Sequence, residues 1–211
     1  EYAPKCLREN VGNTALAISR DLLNFKKVGR LTCPSLDDRD VIIFPERING
    51  KFYMLHRPKE YVGEKYGTSY PSIWIKSSND LMNWNVPSHL LLKGEMDWEI
   101  KVGGNTPPIR TTEGWLLLYH GVDNQYTYRI GACILDLENP TKVLYRTKKF
   151  IMEPETKYEK GGLYKWGVVF PTGAVVIEQT LYVYYGASDQ WCCLATCNIN
   201  ELLAYIKDNS K

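Results

Sequence analysis

The chain has 211 residues, of which 44% are apolar and 24% charged, a globular composition that excludes a disordered or fibrous protein. Its 26 basic and 24 acidic residues leave a net charge of +2, so nucleic-acid binding is not indicated. No apolar run reaches the roughly 18 residues that cross a membrane, and the first residues do not resemble a signal peptide, so we expect neither a membrane span nor a secretory signal. The 12% aromatic content, with 15 Tyr and 6 Trp, favours a β-rich fold and also suits a surface that stacks on sugar rings.

Two sequence patterns recur along the chain at a spacing close to 60 residues. The first pairs an aspartate with a leucine and begins at Asp21, Asp80 and Asp136, which stand 59 and 56 residues apart. The second is a turn followed by a strand rich in leucine and aromatic residues, with turns at residues 49–50, 113–114 and 178–179. Each turn also follows an apolar strand, so this pattern predicts β-hairpins.

A repeat of this length, built from hairpins, is typical of the four-stranded blades of a β-propeller. We therefore predict one all-β propeller domain over residues 1–211, which hold about three and a half periods. A β-sandwich with coincidental spacing is the alternative. At the C-terminus, Asn198 and Glu201 resemble a capping box and predict one short helix over residues 201–206.

Cysteines and a charge run give two further expectations. The six cysteines, at positions 6, 33, 133, 192, 193 and 197, lack the paired spacing of a zinc site, so no metal is predicted. We expect reduced, mostly buried thiols in a cytoplasmic protein. Residues 37–40, in which three aspartates surround Arg39, are expected to form a solvated loop.

Two histidines and one glycine-rich segment are candidates for function. His56 and His120 hold equivalent places at the ends of their repeat strands, which indicates a shared rim or channel where propellers bind ligands. In residues 97–110, Gly103 would let the backbone approach a ligand closely, and Lys101 and Arg110 supply cations beside it. The segment lacks the lysine-containing element of a P-loop, so it does not define a phosphate site by itself.

Four stretches of sequence carry a family resemblance. They are FPERINGKFYMLHRP (44–58), GNTPPIRT with GWLLLYHGV (104–122), FPTGA (170–174) and YYGASD (184–189). In order and spacing they resemble glycoside hydrolase family 130, from about residue 10 to the end of the chain. The resemblance implies a five-bladed β-propeller, here incomplete at about three and a half to four blades and shortened at the N-terminus.

The resemblance also implies an activity, the inverting phosphorolysis of β-mannosides to α-mannose 1-phosphate. An inverting glycosidase needs one acid and one base. A phosphorylase replaces water with phosphate, so it needs one acid and a cationic pocket instead of the second carboxylate. The resemblance assigns phosphate binding to Arg57, Lys101, His120 and Tyr128 and sugar binding to Asp189. It implies no metal and no cofactor, with inorganic phosphate as co-substrate.

The chain departs from the family pattern at two places. The family's general acid is an aspartate ahead of the segment that matches residues 13–19, and no aspartate precedes Asp21, so we expect the catalytic acid upstream of residue 1. Ser77 stands where many phosphorylases have a phosphate-binding arginine, and its neighbour Lys76 should face the other side of the strand. Arg110, where the family often has lysine, is expected to play a structural role.

Three functions therefore stay open at the level of sequence. The cations favour a glycoside phosphorylase, a glycosyltransferase acting on β-1,4-mannooligosaccharides or mannosyl-glucose. A β-mannosidase would need a carboxylate on the phosphate side to activate water. A catalytically inactive, carbohydrate-binding propeller fragment is consistent with the missing acid. The expected partners are a β-mannoside oligosaccharide, phosphate and further copies of the chain, because open strand edges promote association; nucleic acid and membranes are not expected.

Overall fold

The computed structural model describes residues 11–210, which form four antiparallel sheets that follow one another along the chain. The first sheet pairs β1 (Ala15–Ile18) with β2 (Lys26–Arg30). The second has the order β3 (Asp38–Ile43), β4 (Phe52–Pro58), β5 (Ile73–Ser78) and β6 (His89–Leu92). The third has the order β11 (Val143–Arg146), β10 (Tyr128–Leu135), β9 (Trp115–Val122) and β7 (Lys101–Gly104), with β8 (Ile109–Arg110) also paired to β9. The fourth contains β12 (Val169–Ile177), β13 (Thr180–Ala187) and β14 (Trp191–Asn198).

Helical structure is short in the described residues. It comprises a 3₁₀ turn (Glu64–Tyr66), α1 (Lys157–Lys160) and α2 (Ile199–Asp208). The predicted C-terminal helix is confirmed, although it is longer than the predicted span at both ends. Its N-cap is Asn198, whose side-chain oxygen accepts hydrogen bonds from the backbone N–H groups of Asn200 and Glu201. None of these helices has the length and apolar character needed to cross a membrane.

The hairpin turns predicted from the repeat are present. Asn49 and Gly50 both have positive φ, 50° and 77°, as a two-residue turn that follows the twist of its strands requires. The corresponding turns before β9 and β13 contain Gly114 with φ 141° and Glu178 with φ 57°. The leucine- and aromatic-rich strands β4, β9 and β13 follow these turns directly. The repeated hairpin is therefore confirmed.

The recurring Asp-Leu segments form one kind of side-chain turn. Asp21 Oδ1 accepts hydrogen bonds from the backbone N–H groups two and three residues later, at 2.9 and 2.8 Å. Asp80 does the same at 2.8 and 2.6 Å, and Asp136 at 3.0 and 2.8 Å. Each carboxylate thus satisfies two backbone donors outside the sheet. The sequence repeat is therefore a structural repeat.

The core lies between successive sheets. In β9, Leu116 and Leu118 pack toward the fourth sheet, whereas Trp115, Leu117 and Tyr119 pack toward the second. All five side chains are buried, which is why β9 reads as a continuous apolar run. A smaller cluster of Leu31, Met54 and Trp84 joins the first sheet to the second. Sheets stacked face to face in chain order are the blades of a partial β-propeller, as predicted.

The cysteines do not follow the expectation of burial. Within residues 11–210, Cys133 is buried and Cys193 half-buried, whereas Cys33, Cys192 and Cys197 are exposed. All five are free thiols. Burial was wrongly predicted for β14 because this strand pairs only with β13 and its side chains are largely exposed.

Candidate active site at the strand ends

Four predicted site residues meet at one end of the second and third sheets. Arg57 lies near the end of β4, Lys101 begins β7, His120 lies near the end of β9, and Tyr128 begins β10. The antiparallel register brings these ends together, because Lys101 and Tyr128 both pair with Val122. We call Arg57, Lys101, His120 and Tyr128, with Asp40 from β3, the strand-end cluster.

Asp40 occupies the centre of this cluster. Its Oδ2 lies 2.7 Å from Arg57 Nε, in ion-pair contact but without hydrogen-bond alignment, and 3.9 Å from His120 Nε2. Its backbone is left-handed, with φ 52°, at a bulge in the pairing of β3 with β4. Burial raises the pKa of Asp40 above its ordinary 3.8, and the charge of Arg57 opposes this effect.

The solvated loop expected for residues 37–40 is therefore wrong. Asp38 is only 2% exposed, and the Asp40 side chain only 12%. These residues open β3, and the apolar stretch that follows them, residues 41–44, continues the strand toward the core. The sequence did contain an indication of this, because the charged residues lead directly into an apolar stretch and so begin a strand rather than a loop.

His120 is held as a neutral donor that points into the cluster. Its side chain is 1% exposed, and the amide nitrogen of Asn105 donates a hydrogen bond to Nδ1. The same amide nitrogen lies 3.2 Å from the carbonyl oxygens of Gly103 and Gly104, which share its second hydrogen and so fix its orientation. The imidazole proton therefore resides on Nε2, which is buried and has no hydrogen-bond partner in the described residues. Burial first, and the charges of Arg57 and Lys101 second, hold the pKa of His120 well below 6.5.

Lys101 provides a cation that no carboxylate neutralises by direct contact within residues 11–210. Its Nζ donates to Tyr128 Oη at 3.4 Å and lies 5.4 Å from the centre of that ring. Burial and the positive charge of Arg57 lower the pKa of Lys101. Burial also raises the pKa of Tyr128, so the phenol stays protonated and able to donate. Together, the ammonium and the phenol are suited to an anionic oxygen.

Two more cations, not singled out from the sequence, border the cluster. Arg39 Nε and Lys59 Nζ lie 2.7 and 2.8 Å from Asp37, and both positive charges act on Lys101. Burial acts to raise the pKa of Asp37, but Arg39 and Lys59 lower it to about 2. Four cations and three carboxylates therefore act on the cluster. The cations are Arg39, Arg57, Lys59 and Lys101, and the carboxylates are Asp37, Asp40 and, through its charge on Tyr128, Asp189.

Gly103 makes the close packing of the cluster possible. A Cβ at this position would overlap Asp40 Oδ2 and His120 Cε1 and lie 2.9 Å from His120 Nε2. We expected this glycine to admit a ligand to the backbone, whereas it admits two side chains of the protein itself. The positions of Asp40 and His120 therefore require a residue without a side chain, glycine, at position 103.

His56 does not share the rim with His120, which corrects the inference from their equivalent positions. His56 and Arg57 are adjacent in β4, so their side chains leave opposite faces of the sheet. His56 Nδ1 bonds Asp38 Oδ2 and Nε2 bonds Ser88 Oγ, both at 2.8 Å. Burial lowers the pKa of His56, and Asp38 opposes this effect. His56 thus joins β3 to the segment before β6.

The remaining singled-out residues lie apart from the cluster. Asp189 is exposed in the turn between β13 and β14, with φ 56°, and its charge acts on Tyr128. Arg110 is exposed and lies 3.5 Å from Glu46. Lys76 is buried and Ser77 half-buried in β5. In residues 11–210, no group of three potential metal-ligating side chains comes together.

The described residues form a partial β-propeller with a cationic cluster at its strand ends, and comparison with known proteins identifies the family to which it belongs. The model of a glycoside hydrolase family described as beta-1,4-mannooligosaccharide phosphorylase matches residues 8–208. The chain belongs to this family, glycoside hydrolase family 130.

Relatives with assigned activities cover nearly the whole chain. It is 42% identical to a beta-1,2-mannobiose phosphorylase of Listeria innocua over 93% of its length and 54% of the relative's. It is 44% identical to a 1,2-beta-oligomannan phosphorylase of Thermoanaerobacter sp. over 89% of its length and 59% of the relative's. The chain thus spans somewhat more than half the length of these curated relatives.

A solved structure supports the fold. The beta-1,2-mannobiose phosphorylase from Listeria innocua, determined in complex with beta-1,2-mannobiose, superimposes with a TM-score of 0.82 at 41% identity. The superposition covers 92% of this chain and 53% of that one. The β-propeller fold predicted from the repeat is thereby confirmed.

Proposed function

We propose that this protein carries out the inverting phosphorolysis of β-mannosides and that the strand-end cluster binds the attacking phosphate. The proposal rests on two hydrogen-bond donors, Lys101 and His120, that have no anionic partner in direct contact within the described residues. Lys101 has no carboxylate in direct contact, and the buried Nε2–H of His120 has no acceptor within the described residues. A buried donor without an acceptor is costly, and a phosphate oxygen would satisfy it.

The charges of the cluster suit phosphate rather than water. Phosphate carries between one and two negative charges at neutral pH, and the cations around the cluster outnumber the carboxylates by four to three. Arg57, already in contact with Asp40, contributes a second cation beside Lys101. The curated relatives are named as phosphorylases of β-mannosides, which supports the same conclusion.

The proposed step is a single displacement. A phosphate oxygen held by Lys101, His120 and Tyr128 attacks the anomeric carbon of the mannosyl unit. The bond from that carbon to the glycosidic oxygen breaks, and an acid protonates the leaving oxygen. Configuration inverts, so a β-mannoside gives α-mannose 1-phosphate. We propose that the acid is an aspartate upstream of residue 1, and that Asp189 contacts the sugar.

A β-mannosidase is the second candidate, and Asp40 is the observation that favours it. A hydrolase needs a carboxylate to activate water, and Asp40 is a carboxylate within the cluster. However, Asp40 is in contact with Arg57 and packs behind Gly103 and His120. Although burial raises its pKa, the Asp40 side chain is only 12% exposed and its Oδ2 is buried against Arg57, so it is poorly placed to reach a water molecule. Phosphorolysis therefore accounts better for the geometry.

The experiment follows the protein's turnover of β-1,2- and β-1,4-mannobiose with and without phosphate. Mannose 1-phosphate that forms only with phosphate supports the proposal, whereas free mannose regardless of phosphate supports the hydrolase. Calorimetric titration with inorganic phosphate tests the pocket without requiring turnover. We expect Lys101→Met to weaken phosphate binding at least tenfold, about 1.4 kcal/mol. The control Lys26→Met, at an exposed position in β2, should leave binding unchanged.

We further propose that the enzyme works in the cytoplasm without a cofactor and with inorganic phosphate as its co-substrate. The product is a charged sugar phosphate, which does not cross a lipid bilayer unaided, so phosphorolysis is useful inside the cell.

A further inference from the structure

Next to the strand-end cluster, three aromatic side chains form a continuous surface that we call the aromatic ledge. Tyr126 lies in the turn between β9 and β10, and Tyr164 and Trp166 lie in the segment before β12. The Tyr164 and Trp166 ring centres are 5.1 Å apart, and those of Tyr126 and Trp166 are 6.3 Å apart. Tyr164 in turn packs edge-on against Tyr128, at 5.7 Å. The ledge is therefore continuous with the proposed phosphate pocket.

The outer part of the ledge is exposed. Tyr126 is 60% exposed and Trp166 58%. Single exposed aromatics are common, but neighbouring ones that adjoin a polar pocket mark binding surfaces. A shallow pocket of about 360 Å³ lies beside Trp166, and Thr127, Arg129 and Glu153 line it. An apolar ring face thus stands next to polar groups that can bond hydroxyls.

The ledge is fixed by hydrogen bonds rather than loosely held. Asp123 Oδ1 accepts from the backbone N–H groups of Gln125 and Thr127, at 2.8 and 2.9 Å. Thr127 Oγ1 donates to the carbonyl oxygen of Trp166 at 3.0 Å, which joins the two segments. Tyr126 is held with φ 62°, a conformation that a bulky residue rarely adopts. Strain of this kind persists where the surroundings enforce it, commonly at functional sites.

We infer that the aromatic ledge binds the part of a β-mannoside chain that extends beyond the mannosyl unit attacked by phosphate. This inference rests on the proposed function. A pyranose ring offers an apolar C–H face and a rim of hydroxyls, the two features for which the ledge and its pocket are suited. Burial, Tyr128 and the charge of Asp189 raise the pKa of Tyr164 to about 12, so its hydroxyl remains a donor at neutral pH.

The aromatic ledge would make the affinity of the protein for a β-mannoside depend on the number of sugar units in that mannoside. A disaccharide whose attacked mannosyl unit lies beside the cluster would reach little of Trp166, whereas a longer mannoside would lie across it. Wild-type protein should therefore bind β-mannotetraose more tightly than β-mannobiose of the same linkage. Trp166→Ala and Tyr126→Asn should each remove most of this gain, about tenfold for the tetrasaccharide, and leave the disaccharide unchanged. Asparagine tolerates the left-handed backbone of position 126, so this variant removes the ring without adding strain.

The experiment measures dissociation constants by calorimetry for β-1,2- and β-1,4-linked mannosides of two to four units, without phosphate. The control variant is Tyr205→Ala, which removes a 40% exposed aromatic on α2. Unfolding midpoints of all variants establish that they are folded. A gain with chain length that survives both ledge variants overturns the inference, as does a loss shared by Tyr205→Ala.

The experiments distinguish an error in the inference about the aromatic ledge from an error in the proposed function. If mannose 1-phosphate forms but the chain-length effect is insensitive to Trp166, the ledge is wrong and phosphorolysis stands. If longer mannosides bind through Trp166 but inorganic phosphate does not bind, or binds equally to Lys101→Met, the ledge stands and phosphorolysis at the strand-end cluster is wrong. If no mannoside binds, both are overturned.

Discussion

The glycine pair in β7 allows a demanding test of how the strand-end cluster is built. Gly103 and Gly104 are adjacent, both have ordinary strand backbone, and neither has a positive φ. An added Cβ at Gly103 would overlap Asp40 Oδ2 and His120 Cε1, whereas at Gly104 its nearest neighbour would be Ile42 Cδ1 at 3.4 Å. The first position has no room for a methyl group, and the second has van der Waals space.

We expect Gly103→Ala to be destabilising by about 1–3 kcal/mol relative to Gly104→Ala, the range for overpacking a well-packed interior. Replacing glycine by alanine also reduces the entropy of the unfolded chain, by about 0.4–1 kcal/mol, but this effect is common to both variants. The difference between them therefore reports the overlap alone. Because Asp40 and His120 must move, Gly103→Ala should also lose phosphate affinity.

The assay is urea unfolding of both variants, followed by calorimetric titration with phosphate. For a protein of this size, 1 kcal/mol corresponds to a shift of roughly 2–4 °C in Tm, so thermal melts give an independent check. Equal stabilities, within about 0.5 kcal/mol, together with equal phosphate affinities would refute the packing described for residue 103.

Two further predictions concern stability. His120 is buried and neutral, with its pKa held far below 6.5, so below about pH 6.5 the unfolded chain takes up a proton that the folded protein excludes. Stability should therefore fall as the pH is lowered from 6.5 to 5.5, and His120→Gln should reduce that slope by up to about 1.4 kcal/mol per pH unit. Parallel urea-midpoint profiles for wild type and His120→Gln would contradict this. Removing the α2 cap with Asn198→Ala should cost about 1 kcal/mol; an unchanged unfolding midpoint would show that the cap contributes nothing.

The candidate site was predictable from sequence only in part. Arg57, Lys101, His120 and Tyr128 were singled out through a family resemblance, and the structure brings all four together. Their roles in binding phosphate, and the sugar-binding role of Asp189, stay predictions, as do the single-domain assignment and an acid upstream of residue 1.

The sequence indicated the residue types of the candidate site but not the directions in which their side chains point. Asp40 reads as part of a solvated charge run because its neighbours are charged, yet a bulge in β3 turns it toward Arg57. His56 and His120 look equivalent along the chain, but alternation in a strand sends a side chain to one face or the other according to register. Register is set by pairing with neighbouring strands, so these positions could not be assigned from the chain alone.

The amino-acid sequence by itself determined the local structure of this protein. The Asp-Leu turns, the positive-φ hairpins and the cap of α2 depend on groups within a few residues of one another, so short patterns specify them. Tertiary structure decided which side chains face a common pocket. Gly103, His120 and Asp40 come from three strands, and they meet only because two sheets pack closely at a position that has no side chain.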